Sequence, residues 1–254
     1  MTIPLQAGII YGPVNSRRLG QSLGLNIVST KIKTCMFNCV YCQYGLRRVD
    51  EEQMNDRHWY PSSREITKAL ESVLPILNPK PSYLTFSGNG EATLHPEFSD
   101  LVEKVRTIRD SHAPDAEVAI LSNSSTVGRV EIREALQKLD KRIMKLDCGN
   151  QETFYRYNQP LPDIFLDEIV EGLKFMADVT LQALFSGGEG GNYTEENIKD
   201  WIEKVKEINP TSVQIYSLDR SYPSANISPL PGEELMKIKD LLNKEKIKAD
   251  VYER

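Results

Sequence analysis

From about residue 60 onward, short apolar runs rich in β-branched residues alternate with longer stretches whose apolar positions recur every three or four residues. This alternation constrains the fold more than any single motif. It predicts strands over Leu23 to Val28, Tyr83 to Ser87, Glu117 to Ser122, Arg142 to Asp147, Val179 to Phe185 and Ser212 to Leu218, with helices between most of them. Strands and helices at that spacing form a parallel sheet with right-handed crossovers, either an open doubly wound sheet or a full or partial barrel. In both, chemistry collects at the C-terminal ends of the strands.

The helix signals support this reading. Ser62 and Glu65 form a capping box ahead of Ile66, Ala69, Leu70, Val73 and Leu74, which share one helical face. Thr194 caps a helix that turns Ile198, Trp201, Ile202 and Val205 inward, and Pro231-Gly232 opens another carrying Leu235, Ile238 and Leu242. The polar stretch from Arg47 to Arg64 reads as an irregular surface excursion. A chain of 254 residues with 40% hydrophobic and 26% charged residues has material for a real core. It is expected to form one domain over residues 1–254, with an N-terminal extension over 1–22 and a C-terminal helix and strand over 231–254. A net charge of -5 supplies no global attraction to nucleic acid phosphates. No leader-like start and no run long enough to span a bilayer is seen, so the expectation is a cytoplasmic protein with no membrane partner.

Three of the four cysteines, Cys35, Cys39 and Cys42, fall within eight residues after the first expected strand, in C-x3-C-x2-C spacing. One loop with that spacing can wrap a metal. Thiolates are soft ligands suited to zinc or iron-sulfur clusters, whose structural forms take four protein ligands. Here three lie together and Cys148 is more than a hundred residues away, which leaves one coordination position for an exogenous ligand, as catalytic metal sites have. The alternative is a zinc knuckle, or another non-catalytic iron-sulfur or zinc module that carries electrons or docks a partner, completed by Cys148, His58 or His95. A second motif, Ser87-Gly88-Asn89-Gly90-Glu91-Ala92-Thr93-Leu94, closes the next strand. Its glycines allow close backbone approach and Glu91 can accept from an ammonium group. Lys145 and Asp147 share one face of the strand ending at Asp147, opposite Met144 and Leu146. Opposite charges there are costly to bury unless paired or used.

The cysteine triplet with Tyr41 before its last member resembles the hallmark of the radical S-adenosylmethionine (SAM) superfamily. That resemblance implies a partial (β/α)6 TIM-type barrel, a 4Fe-4S cluster on Cys35, Cys39 and Cys42, and SAM on the open iron. It implies reductive cleavage of SAM to methionine and a 5'-deoxyadenosyl radical that abstracts hydrogen, with electrons from a reductant such as flavodoxin or ferredoxin. Gly90 and Glu91 match the family's Gly-Gly-Glu segment for the SAM amino group, although Asn89 replaces the first glycine and Ala92 the common proline. By the same resemblance Tyr41 lies by the adenine, and Ser122, Asn123 and Asp147 are candidate SAM ligands. Arg220, after the last expected strand, suits a carboxylate of SAM or substrate.

Asn15-Ser16-Arg17-Arg18-Leu19-Gly20 can close the barrel or bind an anion, and Gly187 to Asn192 reads as a mobile lid or a site wall. With the Ser-Gly-Asn-Gly-Glu loop, the stretch Gly12 to Gly20 is similar to a group of small radical SAM proteins distantly related to the wyosine-forming tRNA enzymes. Lys145 is the candidate catalytic residue by that similarity, as a Schiff-base lysine. The substrate is open among a small molecule, a tRNA and a partner enzyme activated on a glycine.

Overall fold

The computed structural model describes residues 2–47 and 50–253. Its eight strands lie in sequence order in one sheet: β1 (Ile10–Ser16), β2 (Gly20–Leu25), β3 (Tyr83–Phe86), β4 (Glu117–Ser122), β5 (Lys141–Lys145), β6 (Val179–Leu184), β7 (Ser212–Tyr216) and β8 (Ala249–Tyr252). All neighbouring pairs are parallel except β1 with β2, an antiparallel hairpin. The architecture is the expected partial TIM-type barrel. The six expected strands are β2 to β7, and β8 adds a seventh parallel one.

Alternation along the strands separates two faces. Leu23, Leu25, Leu84, Phe86, Val118, Ile120, Met144, Val213 and Ile215 join the main apolar core with the helices. Residues one position out of phase meet each other on the inner face, where Ser22 Oγ lies 2.6 Å from Thr85 Oγ1 and Gln182 donates to Gln214 at 3.1 Å. Ala119 and Ile143, also on that face, form a separate small cluster with Leu19 from the turn of the β1–β2 hairpin. The expected barrel-closing role of this turn is what the structure has. Arg17 donates to the Glu253 carbonyl and pairs with Asp219 at 2.6 Å, while the Arg18 guanidinium lies 4.5 Å from the Tyr216 ring centre.

The α-helices among the described residues are α1 (Glu51–Asn55), α2 (Ser63–Val73), α3 (Phe98–His112), α4 (Val130–Gln137), α5 (Gln151–Tyr157), α6 (Leu166–Lys174), α7 (Glu195–Ile208) and α8 (Gly232–Lys244). Ser62 caps α2 with the reciprocal bonds of the capping box, and Thr194 caps α7 by accepting from the Asn197 N–H. In the polar excursion, Asp50 caps a short helix over Glu51–Asn55 that buries Met54, so the region is more ordered than its composition suggested. Arg48 and Val49 lie outside the described residues. The first expected strand also shifts: β2 ends at Leu25 rather than Val28. Asn26 is the cause, since its N–H bonds the Ile9 carbonyl and its side chain turns to accept from Asn89, taking the backbone out of the β2–β3 register.

Trp201 of α7 is fully buried, stands edge-on to Phe185 at 5.0 Å and donates to the Leu146 carbonyl at 2.7 Å. It therefore braces the end of β5 from outside. Trp201→Ala is expected to cost about 3–5 kcal/mol of stability, read from urea denaturation followed by circular dichroism.

Candidate active site

The cysteine loop and the glycine-glutamate loop sit at the C-terminal ends of β2 and β3 and are joined through their backbones. Thr34 and Gly90 form a parallel bridge, in which Thr34 N–H donates to the Asn89 carbonyl at 3.0 Å and Glu91 N–H to the Thr34 carbonyl at 2.8 Å. A Cβ on residue 90 would stand 1.7 Å from the Thr34 oxygen, so only glycine permits this approach. Gly88 meets Asn26 in the same way and adopts a positive φ of 137°. The Asn89 side chain ties the pair to the N-terminal segment and to the Ser29 carbonyl, which gives a structural use to the asparagine that departs from the family pattern.

The bridge sets Glu91 in a fully buried socket. Its Oε1 accepts from Thr93 N–H at 3.1 Å, Thr93 Oγ1 at 2.7 Å and Ser122 Oγ at 3.0 Å, and its Oε2 from Asn123 N–H at 2.6 Å. Burial raises the Glu91 pKa and these donors oppose the rise. With three donors on Oε1 and one on Oε2, the remaining acceptor site belongs to Oε2. Ser122 is committed to Glu91. The Asn123 side chain instead turns to the cysteine loop, where its Nδ2 lies 3.3 Å from Cys35 Sγ.

Cys35, Cys39 and Cys42 are free thiols, the first two buried and the third half-buried. Burial pushes the Cys35 thiol up to about 12 and raises Cys39, so metal loading must displace protons there. Amide donors face both buried sulfurs, since Asn158 Nδ2 lies 3.3 Å from Cys39 Sγ as Asn123 does from Cys35. Among the described residues no group of three Cys, His, Asp or Glu converges to hold one metal ion. Cys148 is fully buried and donates to Asn158 Oδ1, while His58 pairs with Asp56, and His95 bonds the Pro61 carbonyl and the Glu97 N–H. Thr34 Oγ1 and Ser125 Oγ are buried polar atoms without a protein partner beside these loops.

Asp147 is the hub on the inner side. Its Oδ1 accepts from Leu184 N–H at 2.9 Å and pairs with Lys145 Nζ at 3.1 Å. Its Oδ2 accepts from Tyr41 and from Asn158 Nδ2 at 2.8 Å. All four acceptor sites are taken, so a ribose hydroxyl reaches Asp147 only by displacing one of these donors. Lys145 also donates to the Tyr216 hydroxyl at 2.9 Å, and Tyr216 donates to Gln182. Burial works against the Lys145 ammonium, but Asp147 and Tyr216 outweigh it and its pKa lies above the ordinary lysine value. The Tyr41 ring packs against Tyr157 at 5.1 Å between centres. Arg220 stays apart on the surface and donates to Gln43, one residue past Cys42. The Gly187–Asn192 segment is a wall: Gly187 pairs with Ser228, and buried Asn192 donates to the carbonyls of Asp147 and Leu184.

A family model described as the radical SAM superfamily matches residues 30–205, the span that holds both loops, Glu91 and Asp147. The chain belongs to the radical SAM superfamily. It is 33% identical over 250 residues to a UPF0026 protein of Methanocaldococcus jannaschii, covering 94% of this chain and 74% of that one. Its fold is similar to that of a radical SAM methyltransferase from Sphaerobacter thermophilus, with a TM-score of 0.66 at 14% identity over 91% of this chain and 66% of the other. It is also similar to TYW1 solved with a lysine-pyruvate adduct bound, with a TM-score of 0.58 at 14% identity over 88% and 73%. At such identities the two structures establish the fold alone. Among the described residues of this radical SAM chain no helix is long and apolar enough to cross a membrane.

Sequence reasoning did not single out Lys33, Asn158, Gln182 or Tyr216. Gln182 and Tyr216 had a legible signal, a polar side chain at period two within an apolar strand. Asn158, in an ordinary polar stretch after a short helix, had none. Gly90→Ala is expected to leave the barrel folded by circular dichroism yet to lose most of its iron on anaerobic reconstitution, measured as iron and sulfide per chain.

Proposed function

We propose that this chain is a radical SAM enzyme that holds a 4Fe-4S cluster on Cys35, Cys39 and Cys42 and binds SAM between the cluster and the inner face of the barrel. The observation that carries this reading is the Thr34–Gly90 bridge, which brings the cysteine loop and the Glu91 socket together. When bound, such a cluster supplies the electron for reductive cleavage of SAM to methionine and a 5'-deoxyadenosyl radical, which takes a hydrogen atom from substrate.

The chain's own residues supply binding, orientation and exclusion of water. Glu91 Oε2 keeps an acceptor site for the SAM ammonium, with the carboxylate held still by Thr93, Ser122 and Asn123. Asn123 and Asn158 donate toward the sulfurs of Cys35 and Cys39, which favours thiolate over thiol. Tyr41 is held by Asp147 with the Lys145 ammonium 4.9 Å from its ring centre and Tyr157 beside it, and Ser125 offers an unpartnered hydroxyl. Arg220, on the surface beside Gln43, suits a carboxylate of SAM or of substrate. An external low-potential donor of the flavodoxin or ferredoxin kind completes the requirement.

Lys145 is the proposed substrate-facing residue. A nucleophilic lysine needs a lowered pKa, and Asp147 together with Tyr216 produces the opposite. The geometry favours an ammonium that holds an anionic or carbonyl oxygen, and a Schiff base would first require release from Asp147.

In anaerobic assays with SAM and a strong reductant, mass spectrometry is expected to detect 5'-deoxyadenosine from the wild type and none from Cys39→Ala. Cys148→Ala is expected to retain its cluster, since Cys148 faces Asn158 in the core; loss of the metal there would favour a four-cysteine electron carrier instead. Glu91→Gln is expected to weaken SAM binding roughly 10- to 100-fold, the worth of a charged hydrogen bond of about 1.5–3 kcal/mol, measured by isothermal titration on the reconstituted protein.

A further inference from the structure

We propose that Lys33 is the electrostatic partner of the cysteine loop, a fixed buried charge that stabilises the reduced state of the metal centre and so sets its reduction potential. The proposal rests on the reading of Cys35, Cys39 and Cys42 as ligands of a four-iron cluster.

Lys33 is 7% exposed and lies two residues before Cys35. Its ammonium donates to the Gly45 carbonyl at 2.7 Å, which ties the entry of the cysteine loop to its exit. Gly45 N–H in turn donates to the Cys42 carbonyl at 2.9 Å, so the ammonium sits on the turn that carries Cys42, and the three cysteines outweigh the burial that would otherwise lower its pKa. A buried lysine is ordinarily paired with a carboxylate. The other half-buried lysine near the site follows that rule, since Lys145 is paired with Asp147. No carboxylate pairs with Lys33 among the described ion pairs. The groove on its outer side is lined by residues 2–5 and by Lys31, Tyr44, Leu46 and Arg47, again without a carboxylate. The positive charge is therefore left for the sulfurs.

The consequence is electrostatic. Reduction transfers one electron from an external donor to the centre, which makes its charge more negative by one unit with no proton or bond exchanged. A fixed cation close by lowers the free energy of that more negative state, and burial protects the interaction from screening by salt. Net charge and hydrogen bonds to sulfur are among the quantities that set iron-sulfur potentials. Lys33 supplies the charge, held in place by the Gly45 carbonyl, and acts through the cysteines as a positioning residue.

Three substitutions separate the contributions. Lys33→Gln keeps a neutral donor, Lys33→Met removes donor and charge, and Lys33→Arg keeps the charge; Lys31→Gln removes an exposed neighbouring cation as a control. Each protein is reconstituted anaerobically, assayed for iron and sulfide, and titrated with dithionite in the absence of SAM under electron paramagnetic resonance. The two neutral variants are expected to shift the midpoint to more negative potential by at least tenfold in the reduction equilibrium, about 59 mV for one electron. Lys33→Arg is expected to restore most of the shift, and Lys31→Gln to leave it small. If the neutral variants load four irons and titrate within that margin of the wild type, the proposal is overturned. If neither loads while Lys33→Arg does, the charge acts in assembly of the centre rather than on its potential, and the proposal is overturned. Failure of all three to load reduces Lys33 to a structural tie. A wild type that takes up no four-iron cluster overturns the underlying reading of the cysteines, which the iron assay shows before any titration.

Discussion

The candidate site depends on one backbone contact, the approach of Gly90 to the Thr34 carbonyl. Two loops that follow different strands are there close enough to exchange hydrogen bonds, and a single Cβ on residue 90 would fill the space between them. Everything nearer the chemistry hangs from that junction. Glu91 follows Gly90 and drops into its socket; Cys35 follows Thr34 and meets Asn123, whose own N–H completes the socket. A displacement at the bridge would move the cysteine loop and the carboxylate together.

The second constraint is the buried charge of Asp147. A carboxylate taken out of water must be paired and fully hydrogen-bonded, and Asp147 meets both conditions with Lys145, Tyr41, Asn158 and the Leu184 N–H. These partners come from the cysteine loop, from β5 and β6, and from the segment after α5, so one ion-pair network fixes the inner face against the cysteines. Asn158 bonds Asp147 and also faces Cys39 Sγ, and its other end takes the Cys148 thiol. The fourth cysteine therefore shapes the site at one remove, as part of the packing that orients a sulfur-facing amide.

Much of the fold was legible along the chain. Six strands and the capped helices at Ser62 and Thr194 appear where periodicity and capping chemistry put them, although β5 ends at Lys145 and leaves Asp147 two residues beyond it rather than at its last position. The departures have local causes. Asn26 ends β2 early because its side chain is needed by the Gly88–Asn89 turn, and the N-terminal extension includes β1 because its turn carries Leu19 into the barrel. Local patterns mislead where a polar residue in an apolar run is used by a partner dozens of residues away.

The sequence by itself determined the chemistry available: three thiols on one loop, a carboxylate after a glycine turn, opposed charges on one strand face, and βα units to carry them. These are local patterns, set by spacing and by the periods of helix and strand. Tertiary structure alone decided which groups are spent and which remain free. It assigned Ser122 to Glu91, saturated Asp147, paired Lys145 with it, sent Arg220 to the surface beside Gln43, and buried Lys33 against the Gly45 carbonyl with no carboxylate partner among the described ion pairs. The physical reason is that hydrogen-bond satisfaction and charge pairing in a buried site are properties of neighbours in space, and the barrel brings together residues as far as 236 positions apart.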